Sequence, residues 1–291
     1  MKTSKLYQAG LILEGGGMRG GYTTGVIDCF LDNGIDFSSI YAVSSGACHA
    51  TSYISKQYNR AFRISTNYIK DWHYCSVRSL LVSGNLFGTK MLFDRLHNEL
   101  DLFDYDTFAK YPGKFFVVAT CLETGMPEYF PVKIEDMAPG MPKINASSSM
   151  PWLAKIVEID GKHYLDGCVA DSIPLKKSEE DGNLKNVAVL TRPRDYRKKP
   201  NRLLWLFKMR YHKYPDFLSQ CASRHLRYNA CLEYAAAQEA AGRTFVIAPE
   251  KPLSIGAVTH SREKLEELYH IGYNDTAKRM DNLLSFLGSQ V

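Results

Sequence analysis

The chain has 291 residues, 45% of them hydrophobic and 23% charged, enough apolar content for one large α/β core or two modest domains and too ordinary a mix for extended disorder. Its net charge of +5 falls well short of what a dedicated nucleic-acid binder carries. Seven scattered cysteines without a CxxC pair argue against a disulfide framework or a metal site, and for free thiols in a reducing compartment.

In chain order, residues 10–14 read as a strand, 22–33 as a helix closed by Gly34, 40–43 as a strand and 47–57 as a helix. This βαβα order implies a largely parallel sheet covered by helices. Residues 58–111 are irregular and aromatic, with helical stretches near 68–74 and 90–100; a cap over the site and plain packing helices fit equally. Residues 114–120 (KFFVVAT) are strongly β-prone, with 128–132 as a partner strand. Asp160-Gly161 predicts a hairpin between 157–159 and 162–165. Further strands are expected at 186–190 and 244–248, and helices over 229–241 and 262–287. No repeat or low-complexity linker divides the chain. A single domain over residues 1–291 is expected, with a motif-bearing core of about residues 8–190 and a C-terminal extension from about residue 191.

Two breaks between strand and helix carry the chemistry. Glu14-Gly15-Gly16-Gly17-Met18-Arg19-Gly20-Gly21 follows the apolar run of residues 9–13, and Ala42-Val43-Ser44-Ser45-Gly46 follows Ile40 and Tyr41. Three consecutive glycines allow successive N–H groups to point into one concavity at the positive end of a helix, where a developing oxyanion is stabilised. The loop lacks the Gly-Lys-Ser/Thr ending of a P-loop and the spacing of a dinucleotide fingerprint. Ser44 lies close to the G-x-S-x-G frame of a nucleophile elbow, with Ala42 where glycine is usual. Ser45 is the weaker competitor, and a serine in an ordinary βα loop is the bland alternative. Arg19 has two open roles, bracing the loop through Glu14 or adding positive potential.

A serine nucleophile needs a base. None of the eight histidines sits in a Gly- or Asp-flanked setting, and His49, five positions beyond Ser44 on the same helix, is expected to point away from it. Asp166, in Tyr164-Leu165-Asp166-Gly167-Cys168, ends a β-prone segment beside a glycine that permits close approach. Asp171 is the second choice, and Asp160 belongs to the hairpin turn.

Taken together, the three segments resemble the patatin-like phospholipases, whose pattern combines G-G-G-x-R-G, G-x-S-x-G and D-G-[GA]. Here these are residues 15–20, 42–46 and 166–168, and Ala146-Ser147-Ser148-Ser149-Met150-Pro151 is similar to a string that bacterial members carry before the aspartate. Ala42 and Cys168 depart from the pattern, both with small side chains. The resemblance implies a three-layer α/β fold with a mainly parallel central sheet flanked by helices. It also implies a Ser44–Asp166 dyad and an oxyanion hole in the loop of Gly15, Gly16, Gly17, Met18 and Arg19, with the Gly16, Gly17 and Met18 N–H groups as donors. The implied activity is hydrolysis of lipid or phospholipid acyl esters through an acyl-enzyme, with no metal or other cofactor. A transacylase using the same dyad and a non-catalytic lipid-binding protein are the alternatives.

From Arg192 to Lys213 the chain carries nine Lys/Arg against one acid, around Leu203, Leu204, Trp205, Leu206 and Phe207. Such a mix suits contact with an anionic bilayer. A buried helix after a basic loop is the favoured plain reading, and a nucleic-acid partner finds no accompanying motif. The N-terminus lacks an apolar signal core and no run approaches membrane-spanning length. A cytoplasmic protein, at most peripheral to the inner face of the membrane, is therefore expected; the sequence leaves the oligomeric state open.

Overall fold

The computed structural model describes residues 4–137, 140–253 and 255–289. Its first elements follow the predicted order: β1 (Lys5–Leu13), α1 (Gly21–Asp32), β2 (Ile35–Val43) and α2 (Ser45–Ile54). β2 starts earlier than its apolar pattern indicates because Asp36, which interrupts that pattern, is buried in an ion pair with Lys56. Next come α3 (Arg60–Asn67), α4 (Val77–Ser83), a π-helical segment Met91–Leu100 and α5 (Tyr105–Ala109). The helix expected near residues 68–74 is a set of turns instead. There the Asp71 carboxylate accepts the His73 N–H at 2.8 Å, a local bond that competes with helix.

The remaining elements are β3 (Lys114–Cys121), β4 (Pro127–Pro131), α6 (Pro142–Ser148), β5 (Val157–Ile159), β6 (Lys162–Asp166), α7 (Leu175–Glu180), β7 (Asn186–Val189), α8 (Leu204–Tyr211), α9 (Pro215–Ala240), β8 (Thr244–Ile247), α10 (Arg262–Lys278) and α11 (Met280–Gly288). The helix expected from residue 229 begins at Pro215, whose ring is suited to a first helical turn. The long helix expected over 262–287 divides at Arg279. That residue leaves helical geometry, donates to the Val246 carbonyl at 2.7 Å and stacks on Phe245.

The strands form one sheet in the order β5-β6-β3-β2-β1-β7-β8, with β4 added to β3. β3, β2, β1, β7 and β8 are mutually parallel, whereas β4, β5 and β6 pair antiparallel. Alternation along the strands sorts side chains into two helical layers. Leu11 and Leu13 of β1 join Val26 and Phe30 of α1 and Leu283 of α11, while Ile12 joins Leu175 of α7 and Tyr228 and Leu232 of α9. Three layers result.

The C-terminal part is built into this core. β8 extends the sheet beside β7, and α10 crosses α1 at close quarters. A Cβ on Gly25 would lie 2.0 Å from the Tyr269 carbonyl oxygen, and one on Gly272 would lie 2.0 Å from that of Tyr22. Reciprocal glycines therefore set the distance between the two helices.

Candidate active site

Sheet register brings the two motif residues together. Val43, the last residue of β2, pairs with Val118 of β3; Asp166, the last residue of β6, pairs with Ala119, the next position along. β4 pairs with residues 116–120 along the opposite edge of β3. β2 and β6 therefore meet end to end on one edge, and Ser44 lands beside Asp166.

Ser44 is held at φ 55°, ψ −124°, a left-handed backbone that an L side chain rarely adopts. Its N–H donates to the Ser147 hydroxyl at 2.9 Å, which fixes the turn from the α6 side. Gly46 is required for space: a Cβ there would lie 2.6 Å from the Leu13 carbonyl oxygen. Ala42 has no such neighbour problem, because its methyl points into the main apolar core and is fully buried. This explains how the elbow accommodates one departure from the glycine pattern.

The Ser44 hydroxyl donates to Asp166 Oδ2 at 2.7 Å, and both residues are buried. The second carboxylate oxygen, Oδ1, accepts the Cys168 N–H at 2.8 Å. The backbone of Asp166 is tied as well, its N–H to the Ser149 carbonyl at 2.8 Å and its carbonyl to the Thr120 hydroxyl at 2.9 Å. Gly167 permits the close approach read from the sequence, since a Cβ would sit 2.1 Å from the Val118 carbonyl oxygen. Burial raises the Asp166 carboxyl above the ordinary aspartate range; the Cys168 N–H, the Ser44 hydroxyl and the charge of Arg224 pull part of the way back.

The glycine loop lies directly against this pair. A Cβ on Gly15 would meet the Cys168 sulfur at 2.5 Å and Ser44 Cβ at 2.7 Å, so Cys168 fills space that the glycine leaves. The Gly16 N–H donates to the Ser45 hydroxyl at 2.9 Å and the Met18 N–H to the Ala257 carbonyl at 2.9 Å. The Arg19 N–H closes a turn onto Gly16 at 3.3 Å. Gly17, at φ 57°, borders the cavity beside Ser44, and its N–H has no acceptor among the described residues. The Arg19 guanidinium does not pair with Glu14. That buried carboxylate instead accepts from Tyr228 at 2.7 Å and from the Thr191 N–H at 2.6 Å, anchoring the loop to α9 and to the end of β7.

No histidine hydrogen-bonds to Ser44 or Asp166 among the described residues. His49 borders the cavity and packs over Gly20, where burial depresses its pKa to about 4. Asp171 is occupied by Tyr129 and the Ile173 N–H, and Asp160 sits at φ 51° in the hairpin turn. No group of three or more His, Cys, Asp or Glu side chains converges as a metal site among the described residues.

Several supporting groups have no assigned role in the sequence reading. Ser147 and Ser149 lie within the string that precedes Asp166, a signal of position but not of function. Ala257, Thr191 and Tyr228 carry no local motif.

A family model for patatin-like phospholipases matches residues 11–177, a span holding the glycine loop, the elbow and the Asp-Gly pair. The chain belongs to the patatin-like phospholipases. Membership implies lipid acyl hydrolysis in general. A second family model, for a domain of unknown function (DUF6363), matches residues 214–288, from the start of α9 to the end of α11. An uncharacterized protein of Escherichia coli K12, YjjU, is 27% identical over 272 residues, covering 90% of this chain and 74% of that one. The solved structure of VipD from Legionella pneumophila matches with a TM-score of 0.55 at 11% identity, over 96% of this chain and 68% of that one. That likeness establishes the fold: a mixed α/β patatin-like architecture with a central sheet flanked by helices.

Proposed function

We propose that this protein cleaves acyl esters of lipids, with Ser44 as nucleophile and Asp166 as its base. The observation that carries the reading is the 2.7 Å bond from a strained, buried serine to a buried carboxylate that forms no ion pair among the described residues. Desolvation makes that carboxylate a stronger base than an exposed aspartate.

As Ser44 Oγ attacks the ester carbonyl carbon, its proton passes to Asp166 Oδ2 and the carbonyl oxygen takes up the negative charge. The unpaired Gly17 N–H is the first donor available to it. Gly16 adds a second once the Ser45 hydroxyl turns aside, and Met18 a third once the Ala257 carbonyl lets go. Collapse of the tetrahedral species breaks the C–O bond to the leaving alcohol, which receives the proton from Asp166. Water then enters, loses a proton to Asp166 and attacks the acyl carbon; the released Ser44 Oγ takes that proton back.

The same reading includes peripheral contact with an anionic membrane. α8 sends Leu204, Phe207 and Tyr211 inward and leaves Trp205 58% and Met209 65% exposed beside Arg202, Lys208 and Arg210. Arg210 stacks over Trp152, two residues beyond cavity-lining Met150, so this face flanks the site.

The test is hydrolysis of p-nitrophenyl esters of graded acyl length by wild type and Ser44→Ala, with fluorophosphonate labelling alongside. The expected result is Ser44-dependent labelling and a loss of at least about 10³-fold in kcat/KM for Ser44→Ala. Equal rates in the two proteins would remove the assignment.

A further inference from the structure

The cavity that starts at Ser44 runs between α2, α3, α6 and the π-helical segment, and its walls are mostly apolar. Its volume of about 110 Å³, against the roughly 150 Å³ that holds a benzene ring, suits a short acyl chain and not a long fatty one. A plain alkyl chain would end against apolar groups. Here the lining also includes Arg60 and His97, which belong to α3 and to the π-helical segment.

His97 is 7% exposed, and neither ring nitrogen makes a hydrogen bond of ordinary geometry. The backbone of Leu92 lies close enough to favour the protonated ring, yet burial and the charge of Arg60 hold its pKa down to about 4. At neutral pH the ring is an uncharged imidazole with unspent hydrogen-bonding capacity, a costly state in a dry interior. Arg60 is fully buried beside it. Its guanidinium donates twice to the Asp101 carbonyl, at 2.7 and 3.2 Å, lies over the Phe103 ring, and reaches the Leu96 carbonyl and Ser52 Oγ only at 3.5 and 3.4 Å. The Asp101 carboxylate is shared between Arg60 at 3.3 Å and Arg63 at 3.0 Å, so two cations have one anion between them. Arg63 is 40% exposed and shares its charge with solvent, so the buried cation of the cluster is Arg60, and the buried group without a hydrogen-bond partner is His97.

We propose that the cavity takes a short acyl chain whose far end carries a carboxylate, seated by Arg60 and His97. This inference rests on Ser44 being the acyl acceptor, and it makes His97 a specificity-determining residue that takes no part in bond cleavage. The preferred substrate class is the monoester of a short dicarboxylic acid, attacked at its esterified end. The arriving carboxylate would pair with Arg60 and accept from the N–H of the neutral His97 ring.

The test compares the mono-p-nitrophenyl ester of adipic acid with p-nitrophenyl hexanoate and p-nitrophenyl 6-hydroxyhexanoate, in wild type and His97→Leu. The expected outcome is a wild-type preference for the adipoyl ester of at least about tenfold in kcat/KM, reversed in His97→Leu. A merely structural histidine would depress all three substrates together. Preference for hexanoate with a ratio unmoved by His97→Leu would overturn the proposal, and preference for the hydroxy ester would overturn the charge assignment. Calorimetric binding of free adipate and hexanoate to Ser44→Ala separates this inference from the catalytic one. Tighter binding of adipate supports the carboxylate site even where no ester is cleaved; equal affinity or no binding of either overturns it.

Discussion

Asp166 keeps an ionisable group where its surroundings disfavour charge, and this sets activity against stability. Because burial raises its folded-state pKa above the unfolded value, the folded protein binds that proton more tightly than the unfolded chain does. Its contribution to stability therefore grows as pH falls through the raised value, while its proposed capacity as a base is lost over the same window. The acid limb of kcat/KM is expected above the ordinary aspartate pKa of about 4. Asp166→Asn keeps an oxygen for the Cys168 N–H and offers an amide to the Ser44 hydroxyl. Activity should drop at least about 10³-fold while Tm stays equal to wild type or rises by about 2 °C. A pH–rate profile and a melting curve on the two proteins check both halves; full activity in the variant ends the dyad assignment. At this scale the sequence was most readable. Small residues around Ser44 and the Asp-Gly pair mark places where backbones crowd, and crowding selects residue types locally. The hydroxyl of Ser147, which reaches Ser44 across 103 positions, leaves no such mark.

Between elements, the crossing of α1 and α10 is fixed by absent side chains. The reciprocal 2.0 Å approaches at Gly25 and Gly272 leave no room for a methyl on either α1 or α10. Gly272→Ala is expected to cost about 2 kcal/mol or more, read as a lowered urea midpoint. Gly288→Ala, where a Cβ meets nothing within 4 Å, should leave the midpoint nearly unchanged. Equal midpoints in the two variants would contradict the close-crossing account. The strands were legible because apolar alternation reports directly on two buried faces. Helices were legible only where periodicity was uninterrupted. α3 buries an arginine, and the front half of α9 mixes Ser219, Ser223 and His225 with its apolar positions, so composition hid both. The break at Arg279 depends on a carbonyl of β8, a partner that a local window does not contain.

Over the whole molecule, α8 leaves Trp205 and Met209 exposed among cations, and its Arg210 contacts Trp152, close in sequence to cavity-lining Met150. Wild type is expected to float with anionic vesicles and less with neutral ones. A Trp205→Ala/Met209→Ala double variant should bind roughly tenfold more weakly with its fold intact. Negligible binding to both vesicle types would remove the membrane contact. Among the described residues no helix is long and apolar enough to cross a bilayer. The division of the chain into a motif-bearing core and a later extension follows the motifs rather than the packing. β8 and α10 carry no chemistry, yet one completes the sheet and the other braces α1, the helix that the glycine loop runs into. Tyr22 and Asp275, 253 residues apart, share a hydrogen bond across that crossing. A ribosome adding roughly 5–20 residues per second needs some 10–50 s to deliver the second partner after the first. During that interval α1 lacks the helix that braces it, so under the proposed assignment the site is completed only late in synthesis.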